Sequence, residues 1–153
     1  MSSQMGKKKV AQAAINEVQS GMVLGLGTGS TVQYFLEEVS SKLKSRELSD
    51  IVCIPSSKQT EAEARRLKIP LLSFTEVQEL DLAVDGADEV DTNLNLIKGG
   101  GGALLREKVV AQASKDFLVI VDEGKVSNQL GEKSSLPVEV VPFAAPLETK
   151  YLQ

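Results

Sequence analysis

A chain of 153 residues with 42% hydrophobic and 25% charged content is long enough to bury one core and is most simply one globular domain, neither disordered nor fibrous. Its net charge of −4 leaves no basic stripe beyond Lys7-Lys8-Lys9, which argues against nucleic acid as a partner; any anion must be met by a few placed lysines and backbone amides. The count of 0 histidines removes Ser-His-Asp chemistry, Cys-His chemistry and the usual zinc sites together, so an enzyme built on this chain must move protons with Asp, Glu and Lys.

After the N-terminal lysines Gln12, Asn16 and Glu17 interrupt any apolar run. The sequence therefore shows no signal peptide and no membrane span and points to a cytoplasmic protein, with a processed organellar form as the alternative. Residues 7–18 read as a helix whose inward stripe is Lys7, Ala11, Ala14 and Val18. Of the three lysines only Lys7 lies on that stripe and can reach a site; periodicity alone fits three solvated lysines equally well.

Residues 21–25 form a strand, GLGTGST at 25–31 a glycine loop, and Val32–Val39 continues as a helix. The third glycine of a dinucleotide fingerprint would fall on Ser30, and no lysine makes this a Walker loop. What remains is a loop offering Gly29, Ser30 and Thr31 amides and hydroxyls at a helix N-terminus, a seat for one phosphate. The plainer alternative is an N-cap by Ser30 or Thr31.

Ile51–Ile54 is a second strand, closed by Pro55. It contains the sole cysteine, Cys53, a thiol that fills strand space rather than acting as a nucleophile. Ser56 or Ser57 caps a helix that runs to Leu67 and stops before Pro70. Leu80, Leu82 and Val84 alternate with Asp81 and Ala83 in a strand that ends at Asp85-Gly86. Ligands bind at the carboxyl edge of such sheets, so Asp85, Asp88 and Glu89 are expected to converge on a site rather than simply form an acidic turn.

Leu94–Ile97 is another short strand, with Lys98 at its end and four glycines, Gly99 to Gly102, after it. Such a run lets the backbone approach a ligand and aim N–H groups at an anion ahead of the next helix; a flexible linker is the alternative. On that helix Glu107 shares a stripe with Ala103, Val110, Ala111 and Ser114, which favours desolvation and a raised pKa suited to a general base. Arg106 and Lys108 beside it pull the other way, as they would for an ordinary paired surface Glu.

Phe117–Val121 has the composition of a strand buried on both faces and ends near Lys125, which stands past the same edge as Asp85 and Lys98. Val138–Val141 is expected as a last strand, and Pro146–Gln153 as the start of a helix with Pro in its first position.

Four motifs in order, GLGTGST at 25–31, DGADE at 85–89, KGGGGALLREK at 98–108 and PVEVVPF at 137–143, closely resemble the type A ribose-5-phosphate isomerases, from about Lys7 to Phe143. The resemblance implies a Rossmann-like, mostly parallel α/β sheet with helices on both faces. Residues 1–143 would be the catalytic domain and 144–153 the start of a small C-terminal α/β segment that the chain largely lacks. It implies interconversion of ribose 5-phosphate and ribulose 5-phosphate, in the pentose phosphate pathway and the Calvin cycle, with no metal or redox cofactor and no membrane partner. The full-length family usually forms homodimers or homotetramers.

Carried over by motif, Glu107 matches the base that shuttles a proton between C2 and C1, and Lys98 the cation near the enediolate oxygen. Asp85 matches a carboxylate of ring opening and hydroxyl proton transfer. Lys7, Thr28, Gly29, Ser30, Thr31, Gly86, Ala87, Asp88, Gly99, Gly100, Gly101 and Lys125 match substrate-binding positions, the phosphate contacts among them. Gly102 departs from the pattern, since many members carry Ala there. Alternatives of the same broad fold are an amino-sugar phosphate deaminase or a coenzyme A transferase. Such deaminases use a histidine for ring opening that this chain does not have, and a sugar-phosphate sensor would need a DNA-binding module for which it has neither room nor charge.

Overall fold

The computed structural model describes residues 3–152 and alternates strand and helix through most of its length. The helices are α1 (Ser3–Ala14), α2 (Ser30–Ser45), α3 (Lys58–Arg66), α4 (Leu104–Gln112) and α5 (Ala145–Leu152); the strands are β1 (Val23–Leu26), β2 (Val52–Pro55), β3 (Leu80–Asp85), β4 (Glu89–Val90), β5 (Leu96–Ile97) and β6 (Ser114–Val119). Val32, Phe35, Leu36 and Val39 recur at helical spacing in α2 and are all buried, which fixes its inner face. Arg46, at φ 63°, ends it in the left-handed region. In α3 the N-cap is Ser57, whose side chain accepts the Thr60 N–H at 3.0 Å.

Four strands pair in parallel in the order β2-β1-β3-β6, while β4 and β5 form a separate antiparallel pair with Glu89 opposite Ile97. On one face Leu24, Leu26, Leu82 and Val84 pack with Ala11 and Ala14 of α1 and the apolar stripe of α2. On the other, Leu80 and Ala83 pack with Val110 of α4. Each fully buried large side chain in this core, such as Phe35 or Leu24, contributes about 1.5–3 kcal/mol. The chain leaves β1 toward β2 and leaves β3 toward β6, so the order reverses between β1 and β3. A crevice opens at that reversal, outside the carboxyl ends of both strands.

The mostly parallel sheet with helices on both faces is thus as expected, but three local expectations are not met. The strand expected at 117–121 runs instead from Ser114 to Val119; it is an edge strand paired only with β3, and Phe117 remains 40% exposed. Val138–Val141 is not a strand, because no neighbouring strand offers it a partner, and Val138, Val140 and Val141 are exposed. Helix α5 begins at Ala145, one residue before Pro146, on a 3₁₀ turn at Pro142–Ala144. Among the described residues no helix is long and apolar enough to cross a membrane.

Candidate active site

The carboxyl ends of β1 and β3 meet at Gly27 and Asp85. Gly27 donates its N–H to Val84 O at 2.9 Å, and a Cβ on Gly27 would lie 2.1 Å from Asp85 Oδ1 and 2.6 Å from its Cα. Only glycine fits between the strand ends. Asp85 Oδ1 then accepts the N–H groups of Thr28 at 3.0 Å and Gly86 at 2.7 Å, which locks both loops to one carboxylate.

Lys98, delivered by β5, reaches back over this carboxylate. Its Nζ lies 3.1 Å from Asp85 Oδ2 and 3.1 Å from Glu107 Oε2, and it also donates to Gly86 O. Asp85 is 3% exposed and Glu107 8% exposed, so the trio sits in a largely desolvated pocket. Burial raises the Glu107 pKa above the ordinary carboxylate value, the Asp85 charge raises it further, and Lys98 pulls it back without cancelling the effect. The counter-ion of Glu107 is therefore Lys98, not the adjacent Arg106 or Lys108.

A cleft of about 230 Å³ opens above this trio. Lys98 and Glu107 line its floor; Gly86, Ala87, Asp88, Gly99 and Gly101 form one side, and Thr28, Gly29, Ser30 and Thr31 the other, with Lys7 and Lys125 at the rim. Gly29, at φ 117°, is the N-cap of α2 and supplies no side-chain cap, so neither Ser30 nor Thr31 closes the helix end. The first amides of α2 stay open toward the cleft, where the helix dipole favours an anion. Lys7 Nζ donates to Ser30 Oγ at 2.8 Å, which places the inward-facing lysine of α1 beside that end, whereas Lys8 stacks over Tyr34.

Two expected substrate-binding residues do not line the cleft. Asp85 lies beneath Lys98, and the Gly100 N–H is used by Asp88 Oδ2 at 2.8 Å. Glu89 does not converge on the site either: Asp88, just before β4, turns its carboxylate to the Gly100 N–H of the glycine loop, while Glu89, the first residue of β4, is fully buried. The Gly99–Gly102 turn is closed by the Gly102 N–H to Gly99 O at 2.9 Å with φ of 107° and 70° at its ends. Gly102 is thus in a conformation that alanine adopts only at a cost.

Sequence reasoning missed a buried hydroxyl network under the β1 loop. Thr60 Oγ1 donates to Gly27 O at 2.8 Å and lies 3.2 Å from Thr28 Oγ1, which is itself 2.9 Å from Ser56 Oγ. Ser56 is expected from sequence only as one of two candidate helix caps with Ser57, and Thr60 is given no role; the signal for more was the run of small hydroxyl residues 56, 57 and 60 at the end of a strand.

With this geometry in view, the likeness to known proteins is specific. The model of the family described as ribose 5-phosphate isomerase A (phosphoriboisomerase A) matches residues 52–153. The ribose-5-phosphate isomerase A of Desulfatibacillum aliphaticivorans is 56% identical over 147 residues, which cover 96% of this chain and 64% of that protein. The ribose-5-phosphate isomerase of Plasmodium falciparum is 52% identical over 139 residues, 90% of this chain and 59% of its own length. A solved D-ribose-5-phosphate isomerase in complex with phospho-erythronic acid superimposes with a TM-score of 0.96 at 45% identity, covering 99% of this chain and 66% of the other. The chain spans about three fifths of the length of these curated relatives. The family model and the relatives agree with the motifs and with the cleft they build, and the chain belongs to the ribose 5-phosphate isomerase A family.

Proposed function

We propose that the chain interconverts D-ribose 5-phosphate and D-ribulose 5-phosphate by proton transfer through an enediolate. The observation that supports this most is the Lys98 ammonium held between Glu107 and Asp85 on the floor of a cleft whose other end is the open N-terminus of α2. Proton transfer next to a carbonyl needs a base, a stabiliser for the developing oxyanion and a handle for the phosphate, and these three features supply one each. Phospho-erythronic acid, present in the related structure, is a phosphorylated sugar acid, with a phosphate at one end and an anionic oxygen group at the other.

In this reading the phosphate sits on the α2 amides with Lys7 and Lys125 beside it, and the open-chain sugar extends toward Lys98. The Glu107 carboxylate takes the proton from C2; the C–H pair becomes the C1–C2 double bond and the carbonyl pair moves onto O1. Lys98 and nearby glycine-loop N–H groups stabilise that oxyanion. The O2 proton passes to O1, and Glu107 returns its proton to C1, leaving a ketone at C2. Atoms and charge balance without a further reactant. Asp85 aims Lys98 and raises the proton affinity of Glu107; any part it takes in ring opening is exercised through Lys98 Nζ, which does reach the cleft. The family resemblance supports a cytoplasmic homo-oligomer, a dimer or tetramer, in pentose phosphate metabolism.

The test is conversion of ribose 5-phosphate to ribulose 5-phosphate with a chelator present, by the parent and by Glu107→Gln. Turnover by the parent alone supports the reading. Binding of ribose 5-phosphate without turnover by the parent would replace it with a sugar-phosphate sensor.

A further inference from the structure

Glu89 is fully buried, and among the described residues it takes part in no ion pair. Its carboxylate is met by backbone amides: Gly131 N–H at 3.0 Å and Ser134 N–H at 3.0 Å on Oε2, and Lys133 N–H at 3.2 Å on Oε1. Burial works against its charge, but the neighbouring Ser127 hydroxyl and these three amides outweigh that and bring its pKa down to about 2. Of the groups around the carboxylate, the three amides are those that meet it with hydrogen-bond geometry. A carboxylate buried this way adds little net stability over an apolar side chain of similar shape; what three converging N–H groups provide is one fixed loop geometry.

That loop starts at the site. Lys125, on the rim of the cleft, is followed directly by Val126 and Ser127, which are held to Val90 of β4 by a parallel bridge and by the Ser127 N–H to Val90 O at 2.9 Å. The loop then runs out and returns so that Ser134 Oγ donates to Asp88 O at 3.2 Å, while Lys133 Nζ donates back to Val126 O. The two residues of β4 and the one before them thus clasp both walls of the cleft. Asp88 holds the glycine loop through Gly100, and Glu89 holds the loop that follows Lys125.

We infer that Glu89 is a positioning residue, which sets the place of Lys125 at the rim by anchoring residues 131–134 from within. This rests on the isomerase reading for its kinetic consequence but not for its structural one. Without the anchor the loop gains alternatives and Lys125 is held less firmly, by its own N–H to Asp122 O and by the Ser127 N–H to Val90 O alone, while Lys98 and Glu107, on other elements, keep their contact.

The experiment compares the parent with Glu89→Gln, Lys125→Ala and the double variant. Hydrogen exchange is expected to show the amides of residues 131–134 losing protection in Glu89→Gln, while those of β1 and β3 keep theirs. The KM for ribose 5-phosphate is expected to rise by about tenfold in both single variants, the scale of one charged hydrogen bond, with kcat little changed. The double variant should rise no further than Lys125→Ala alone. Protection lost evenly across the sheet, kcat falling at constant KM, or multiplied KM effects in the double variant would each overturn the inference. If Glu89→Gln does not fold, Glu89→Asp, which keeps the charge but shortens the reach, is read by the same exchange. If the parent shows no turnover, the isomerase reading fails, and exchange together with calorimetric binding of ribose 5-phosphate still decides the anchor.

Discussion

The Lys98 ammonium stands 3.1 Å from the Glu107 carboxylate, although the two residues belong to different elements separated by the glycine run 99–102. The turn at Gly99 and Gly102 brings the start of α4 back against the end of β5, and the ion pair is the product. Replacing Glu107 by Gln keeps the size of the side chain and leaves Lys98 its bond to Asp85. Turnover is expected to fall by about 10²–10⁴, the usual contribution of one positioned base, with KM for ribose 5-phosphate largely kept. Equal loss in kcat and in binding affinity, measured by steady-state kinetics and calorimetry, would remove Glu107 from the role of base.

The environment of Glu107 also sets a pH dependence. A base must be ionised, and burial followed by the Asp85 charge places its pKa above the ordinary carboxylate value of 4.5. The acid limb of kcat/KM is therefore expected above that value, with activity lost as pH falls through it. Asp85→Asn removes a negative charge that raises this pKa and leaves Lys98 to serve Glu107 alone, so both changes shift the limb to lower pH. A limb that stays in place in Asp85→Asn would mean that it reports another group.

Lys98 itself is flanked by two carboxylates that are nearly out of water. Lys98→Met would leave Asp85 and Glu107 facing each other without a cation. Breaking a buried pair in this way costs about 3–5 kcal/mol unless the site takes up a proton. The variant is thus expected to be most unstable at high pH and to recover partly on acidification, as Glu107 protonates. A stability difference from the parent that does not change with pH, followed by chemical denaturation, would show that the carboxylates are screened by water.

The strand and helix order, the edge at which the site lies and the inward position of Lys7 were legible, because each follows from local periodicity and from where ligands bind in open sheets. The partner of Glu107 was not. Arg106 and Lys108 are its sequence neighbours, but its ion pair is with Lys98, which arrives through a turn that no pattern encodes. Glu89 was misplaced for a related reason: it opens a strand of only two residues, too short to show a pattern, and its amide partners lie 42 to 45 positions away. Val138 to Val141 carry a strand pattern without a neighbouring strand to pair with, and pattern alone does not supply one.

Gly27 offers a sharp test of how closely β1 and β3 converge. A methyl group there would meet the Asp85 carboxylate and backbone at distances no side chain tolerates, so Gly27→Ala must push the strand ends apart. Overpacking of this kind costs about 1–3 kcal/mol or more. Because Asp85 also holds Thr28 and Lys98, activity is expected to collapse even where the variant remains folded. Retention of both stability and turnover would mean that the loop after β1 shifts without disturbing Asp85.

Thr60 carries the last test, on the network beneath that loop. Its hydroxyl, 4% exposed, donates to Gly27 O and lies within hydrogen-bond reach of Thr28 and Ser57. Valine has nearly the same shape but no hydroxyl, so Thr60→Val leaves the buried Gly27 carbonyl without its partner. The loss is expected at about 1–3 kcal/mol of unfolding free energy, the desolvation cost of one orphaned buried group. Thr28 keeps Ser56 and the N–H bond to Asp85, so Lys98 and Glu107 should be undisturbed and kcat largely unchanged. The glycine loop that leads to the α2 N-terminus is less well fixed, so KM should rise. Thr60→Ser restores the hydroxyl and should recover both stability and KM; if it recovers neither, the methyl packing of Thr60, not its hydrogen bonds, holds the loop.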